Sequence, residues 1–89
     1  MQALQLVKAL AEPLRLRILV LLNQASLTVG ELVEILEVSQ SNVSHHLRFL
    51  REWNFVGSSR TGTTHIYKLL SQEELPPYAR ELWQNLPDL

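Results

Sequence analysis

Apolar positions along this chain recur first with a helical period, then in a short strand-like pattern, then with a helical period again. Leu4, Leu6, Val7 and Leu10 form a broad apolar face that predicts a first helix over 2–11. Glu12 precedes a proline and is pushed out of the helical region, so it marks a boundary. Pro13 suits the first turn of a second helix, expected from Pro13 to about Asn23. That helix is apolar nearly all round (Leu14, Leu16, Ile18, Leu19, Val20, Leu21, Leu22), interrupted only by Arg15 and Arg17. Such a helix is normally the buried centre of a small domain, with its two arginines snorkelling or reaching phosphate. Asn23 to Leu27 reads as a connector. Thr28 and Glu31 then have capping-box spacing and open a short third helix, Val29 to Leu36, with Leu32, Ile35 and Leu36 facing inward.

Glu37-Val38-Ser39 reads as a tight turn into the stretch on which the chain is organised, Val38 to Arg51. There Val43, Leu47 and Leu50 fall at i, i+4 and i+7 and share one apolar stripe. Gln40, Ser41, Ser44, His45, Arg48 and Arg51 lie outside it. A solvated face would be richer in Glu and Lys, and a membrane-surface helix would carry more apolar bulk. Short hydroxyls, an amide, a His and arginines are slim enough to let a helix approach a DNA major groove, and they bond base edges and phosphates. Ser39 is a candidate N-cap, and a helix N-terminus favours a nearby phosphate. His46, beside the stripe, is expected to pack or bond internally. Helix, three-residue turn, helix is the helix-turn-helix arrangement, with the second helix as reader.

Downstream the pattern changes. Phe55 to Arg60 and His65 to Leu69 read as strands, joined by Thr61-Gly62-Thr63. A hairpin placed there is a wing, with Arg60 near its tip. Ser71 and Glu74 form a second capping box and open a last helix, with Leu75, Tyr78, Leu82 and Leu86 on one face and Trp83 beside it. These aromatics are expected in core or interface. The architecture expected is mostly α with a β-hairpin wing (α+β), a winged helix-turn-helix in the order α-α-α-α-β-β-α, occupying 1–89 as one domain.

Charge sharpens this picture. The net charge is only −1, but residues 38–68 hold Arg48, Arg51, Arg60 and Lys68 against Glu52 alone. Positive charge therefore gathers where the reader helix and hairpin lie, which suits double-stranded DNA as a partner. Cysteine is absent, which removes disulfides, thiolate metal sites and cysteine catalysis. No apolar run approaches the roughly 18 residues that span a membrane, and the first residues lack a basic leader, so a cytoplasmic location is expected. No phosphate loop, nucleophile elbow or zinc-protease motif is present, and Asp88 is the sole aspartate, so neither catalysis nor a cofactor is expected. His45 and His46 point about 100° apart on a helix and cannot share a metal well; no metal is expected.

Leu10-Ala11-Glu12-Pro13-Leu14-Arg15-Leu16-Arg17-Ile18-Leu19, Gly30-Glu31-Leu32, Ser39 to Leu50 and the hairpin end Ile66-Tyr67-Lys68-Leu69 together resemble the ArsR/SmtB family of bacterial winged-helix repressors. The likeness covers about residues 3–70. It implies a homodimer joined through the first and last helices, hence Leu4, Val7, Leu75, Tyr78, Leu82, Trp83 and Leu86 at the interface. It implies reader helices in successive major grooves of a palindromic operator, with Gln40, Ser41, Asn42, Ser44, His45, Arg48 and Arg51 as contacts, and Arg60 and Thr63 from the wing. It also implies repression relieved by an effector, here unknown. This chain departs from the pattern in three places. Metal-sensing members carry Cys-x-Cys where Val33 and Ile35 stand, zinc-sensing members carry histidines in the last helix, and many members have Arg after the wing glycine where Thr63 stands. A winged-helix protein-interaction module, or the regulatory part of a longer, methyltransferase-fused protein, is the alternative.

Overall fold

The computed structural model describes residues 12–71, 73–75, 77, 80 and 81. Within them lie three helices and three strands: α1 (Pro13–Gln24), β1 (Leu27–Thr28), α2 (Val29–Leu36), α3 (Gln40–Glu52), β2 (Val56–Thr61) and β3 (Thr64–Leu69). The expected first helix, with Leu4 and Val7, lies outside the described residues. So does most of the expected last one, including Tyr78, Leu82, Trp83 and Leu86. The described elements run α-β-α-α-β-β, which adds β1 to the part of the expected order that they cover.

Each helix begins where its local chemistry says it should. Glu12 caps α1, its carboxylate accepting the N–H of Leu14 (3.3 Å) and of Arg15 (3.0 Å), and Pro13 takes the N1 position. Thr28 and Glu31 close a reciprocal capping box on α2, at 2.9 and 3.1 Å. Ser39 caps α3, accepting the Asn42 N–H at 3.2 Å. The helix ends are equally definite. Glu37 ends α2 in the left-handed region, φ 56°. Asn54, at φ 62°, ends α3, with the Phe55 N–H bonded back to the Leu50 carbonyl (2.9 Å) and the Asn54 N–H to Arg51 (3.0 Å). That is a Schellman motif, and its hydrophobic partners Leu50 and Phe55 are both fully buried.

The core gathers Ile18, Leu19 and Leu22 of α1, Leu32 and Leu36 of α2, and Val43, Leu47 and Leu50 of α3, with Phe55, Val56 and Leu75. Two expectations shift here. α1 buries one face only, and Leu16, Val20 and Leu21 are half-buried. Ile35, expected inward, is 50% exposed, because Leu32 and Leu36 sit one turn apart and define the inner line without it. It stands with Arg17, Val20 and Leu21 around an open apolar cleft.

The connector between α1 and α2 contains a strand that was not expected. Leu27 pairs with Tyr67 and Thr28 with Ile66, so β1 joins the hairpin as a third, antiparallel strand in the order β1-β3-β2. The hairpin itself is tighter than the three-residue turn expected. Thr61 pairs with Thr64, which leaves Gly62 and Thr63 as a two-residue tip. Gly62 takes φ 64° at the first of these positions, where glycine enters the left-handed region without steric cost. Both strands begin one residue from the expected bounds.

Candidate nucleic-acid interface

The three-residue turn Glu37-Val38-Ser39 sets α3 against α2, and the core stripe Val43, Leu47, Leu50 holds it there. What faces outward follows from helical geometry. Ser41, His45 and Arg48, at i, i+4 and i+7, stand opposite the stripe; Gln40, Ser44 and Arg51 occupy one flank and Asn42 the other. All are exposed except Ser44, which is half-buried. Ser39 and Ser41 hydroxyls lie 3.3 Å apart at the helix start. The structure thus brings seven of the candidate contacts onto the solvent side of one helix, with hydroxyls and amides towards its N-terminus and arginines towards its C-terminus.

The wing carries the remaining two. Arg60 folds over the hairpin tip, its Nε–H donating to the Gly62 carbonyl at 2.7 Å, and Thr63 is exposed beside it. β2 packs against α3 and starts directly after the helix-ending turn, so the wing and α3 share a base. His65 pairs across the hairpin with Arg60 and is exposed.

Leu75, expected at a dimer interface, is corrected by the structure. It is 2% exposed in the single chain and belongs to the chain's own core, so its side chain has no surface to offer a partner. The capping box ahead of it forms as expected: the Ser71 N–H donates to Glu74 (3.0 Å) and the Glu74 N–H to the Ser71 hydroxyl (3.3 Å). Those bonds, with Lys68 4.0 Å away, hold the Glu74 carboxyl below its usual range.

Behind α3 lies a polar cluster whose extent the sequence reading did not foresee. Arg15 is 9% exposed and His46 7%. The Arg15 Nε–H donates to His46 Nδ1 at 3.1 Å, and the guanidinium sits 3.8 Å from the Phe49 ring centroid. His46 Nε2 lies 3.5 Å from a Glu12 carboxylate oxygen. Burial pushes the His46 imidazole below the ordinary histidine value; Glu12 opposes this, and Arg15 and His45 add to it. Burial works to raise the Glu12 carboxyl, but the backbone N–H groups of Arg15 and Leu14, with the His46 and Arg15 charges, outweigh it and hold it low. The internal bonding expected of His46 is thus present. Arg15 neither snorkels to water nor reaches out for phosphate, because an acceptor and an aromatic face meet it inside.

Known proteins fit this geometry. The profile described as "Bacterial regulatory protein, arsR family" matches residues 12–58, which span α1 to the start of β2. This chain belongs to the ArsR family. It is a winged-helix, DNA-binding transcriptional regulator of that family. It is similar to the transcriptional activator HlyU of Vibrio cholerae, 43% identical over 72 residues, 81% of this chain and 67% of that protein. The solved HlyU structure superposes with a TM-score of 0.73 at 40% identity, covering 92% of this chain and 87% of that one. A SmtB repressor homologue of Synechocystis is 36% identical over 98% of this chain but only 65% of its own length, so the chain spans about two thirds of these ArsR relatives. The homodimeric winged helix-turn-helix DNA-binding domain from Mycobacterium bovis matches with a TM-score of 0.73 at 27% identity, covering 93% of this chain and 76% of that fragment. The chain holds no cysteine. Among the described residues, no helix is long and apolar enough to cross a membrane, and no three acids or histidines cluster as metal ligands.

Proposed function

We propose that this chain is a homodimeric repressor that reads a palindromic operator through α3 and steadies itself through the wing. The observation that supports this best is the outer face of α3. Ser41, His45 and Arg48 stand clear of the core on a helix with a capped N-terminus, after a three-residue turn and before a hairpin with Arg60 at its tip. Ser41 and Gln40 are placed for base edges or phosphate at the helix start, His45 and Arg48 for bases deeper in the groove, and Arg51 and Arg60 for the backbone. Two such helices would sit about one duplex turn apart, roughly 34–36 Å. An effector that changes the angle between protomers would misalign them and release DNA. The homodimeric M. bovis domain supports the pairing, and the repressors among the relatives support the sign of regulation. The proposed role requires no bound metal and no catalysis.

The test is duplex binding by the wild-type chain and by Arg48→Ala and Ser41→Ala, with DNA enriched by this chain from a random pool. Each lost base contact should weaken binding by about 1–3 kcal/mol. A protein-interaction module would show no enrichment and no effect of either substitution. Light scattering at micromolar concentration should give a dimer, and a monomer that binds no enriched DNA would overturn the proposal.

A further inference from the structure

Arg15 and His46 are the two charged or titratable side chains buried among the described residues, and they are buried against each other. Their bonding fixes the imidazole tautomer. Nδ1 accepts from Arg15, so the ring proton sits on Nε2, on the side of the Glu12 carboxylate. Glu12 is at the same time the cap of α1, and Arg15 lies in its first turn. The cluster therefore ties one end of α1 to the middle of α3, and the Arg15 guanidinium on Phe49 extends the tie by one turn. An apolar stripe such as Val43, Leu47 and Leu50 is non-directional and tolerates small rotations with little loss of burial. A hydrogen bond to one ring nitrogen does not.

We propose that Arg15 and His46 are positioning residues for the DNA-reading helix, holding it at one rotation against α1, and that a proton on His46 releases this hold and weakens DNA binding. The proposal rests on α3 being the reader. A proton on Nδ1 would set an N–H against the Arg15 N–H, donor against donor and cation against cation, away from water. Among the described residues, the groups facing His46 are Glu12 and Arg15 from α1 and His45 on its own helix, whose ring lies 5.2 Å away edge-on. Glu12 favours the imidazolium; burial, Arg15 and His45 oppose it, so the neutral ring persists to below the ordinary histidine range. The sign of the effect is diagnostic. His45 and His65 are exposed. Positive charge gained on the side offered to DNA tightens binding, the opposite sign.

The experiment is anisotropy of the full chain on an enriched duplex from about pH 8 down to the most acid point at which circular dichroism still shows the fold intact, at constant ionic strength. Affinity should fall about tenfold while the fold persists, and His45→Gln should keep that fall. His46→Asn keeps a polar atom near the Nδ1 position and takes no proton, so its dependence should flatten to under about twofold. Binding by His45→Gln that is flat or tightens in acid, or a His46→Asn that keeps the wild-type fall, overturns the proposal. Should His46→Asn not fold, imidazole NMR on the wild type decides. The α3 amide shifts should share the His46 midpoint, and independent midpoints overturn it. Arg48→Ala at about pH 8 separates the two readings. If it binds as tightly as wild type, α3 is not the reader; if it binds weakly while His45→Gln is flat in pH, only the positioning role fails.

Discussion

Arg15 and Arg17 stand two residues apart on one helix and end in opposite places, one bonded to a buried imidazole and the other exposed at the rim of an apolar cleft. Sequence alone treats them alike, since both interrupt an apolar run. What separates them is the position of His46 and Phe49 on another helix, 31 or more residues on from Arg15, which local pattern does not carry. Replacing Arg15 by Leu leaves His46 Nδ1 without that donor and strips the Phe49 face, so urea denaturation should show a loss of about 1–3 kcal/mol. Arg17→Leu should stay within about 0.5 kcal/mol. Stability should also depend on pH through His46. Its folded value is depressed, so the unfolded chain binds the proton more readily; stability is full above the unfolded value of about 6.5 and falls as pH drops towards the folded one. Glu12 and Glu74, also depressed, act in the same sense but in the lower window beneath the ordinary carboxylate value. Urea midpoints should decline between about pH 7.5 and 5.5 in the wild type, and much less in His46→Asn.

At the scale of elements, the described helices were legible because each is announced by its own cap. Thr28 with Glu31, Ser39, and Pro13 after an acid are local signals, and local hydrogen bonds satisfy them. Removing the Ser39 hydroxyl should cost about 1 kcal/mol in thermal or urea unfolding. The left-handed ends were not legible in the same way. Asn54 is a residue that tolerates φ 62°, whereas Glu37 at φ 56° is not. Glu37→Gly should therefore stabilise the chain by about 1 kcal/mol, and a drop in melting temperature would contradict the strain assigned to that turn. β1 escaped notice because two residues carry no alternation; it exists only through its pairing with β3. Leu75 was misplaced for a related reason. Its helical period with Tyr78 and Leu82 is real in sequence, but period alone does not say whether the chain's own core or a partner covers a face.

For the whole molecule, the net charge of −1 conceals a division of labour: α3 and the hairpin hold the positive excess. Affinity for DNA should accordingly fall with salt, and Arg60→Ala should lower the logarithmic salt slope by about 1 per protomer while leaving sequence preference intact. Arg48→Ala should do the reverse, relaxing preference at one base position. The outward face of α3 was readable because a helix packed on one side is apolar there and polar on the other. Thr28 carries a consequence of another kind. It is the last residue of β1, paired with Ile66 on the wing's inner strand, and it is also the cap from which α2 starts. Helix-turn-helix and wing are thereby bolted to a single peptide unit and travel as one calliper with a fixed jaw. A duplex whose grooves do not match that opening has to do the yielding. Selectivity would then reside partly in base pairs the protein never touches, through how readily they bend or narrow.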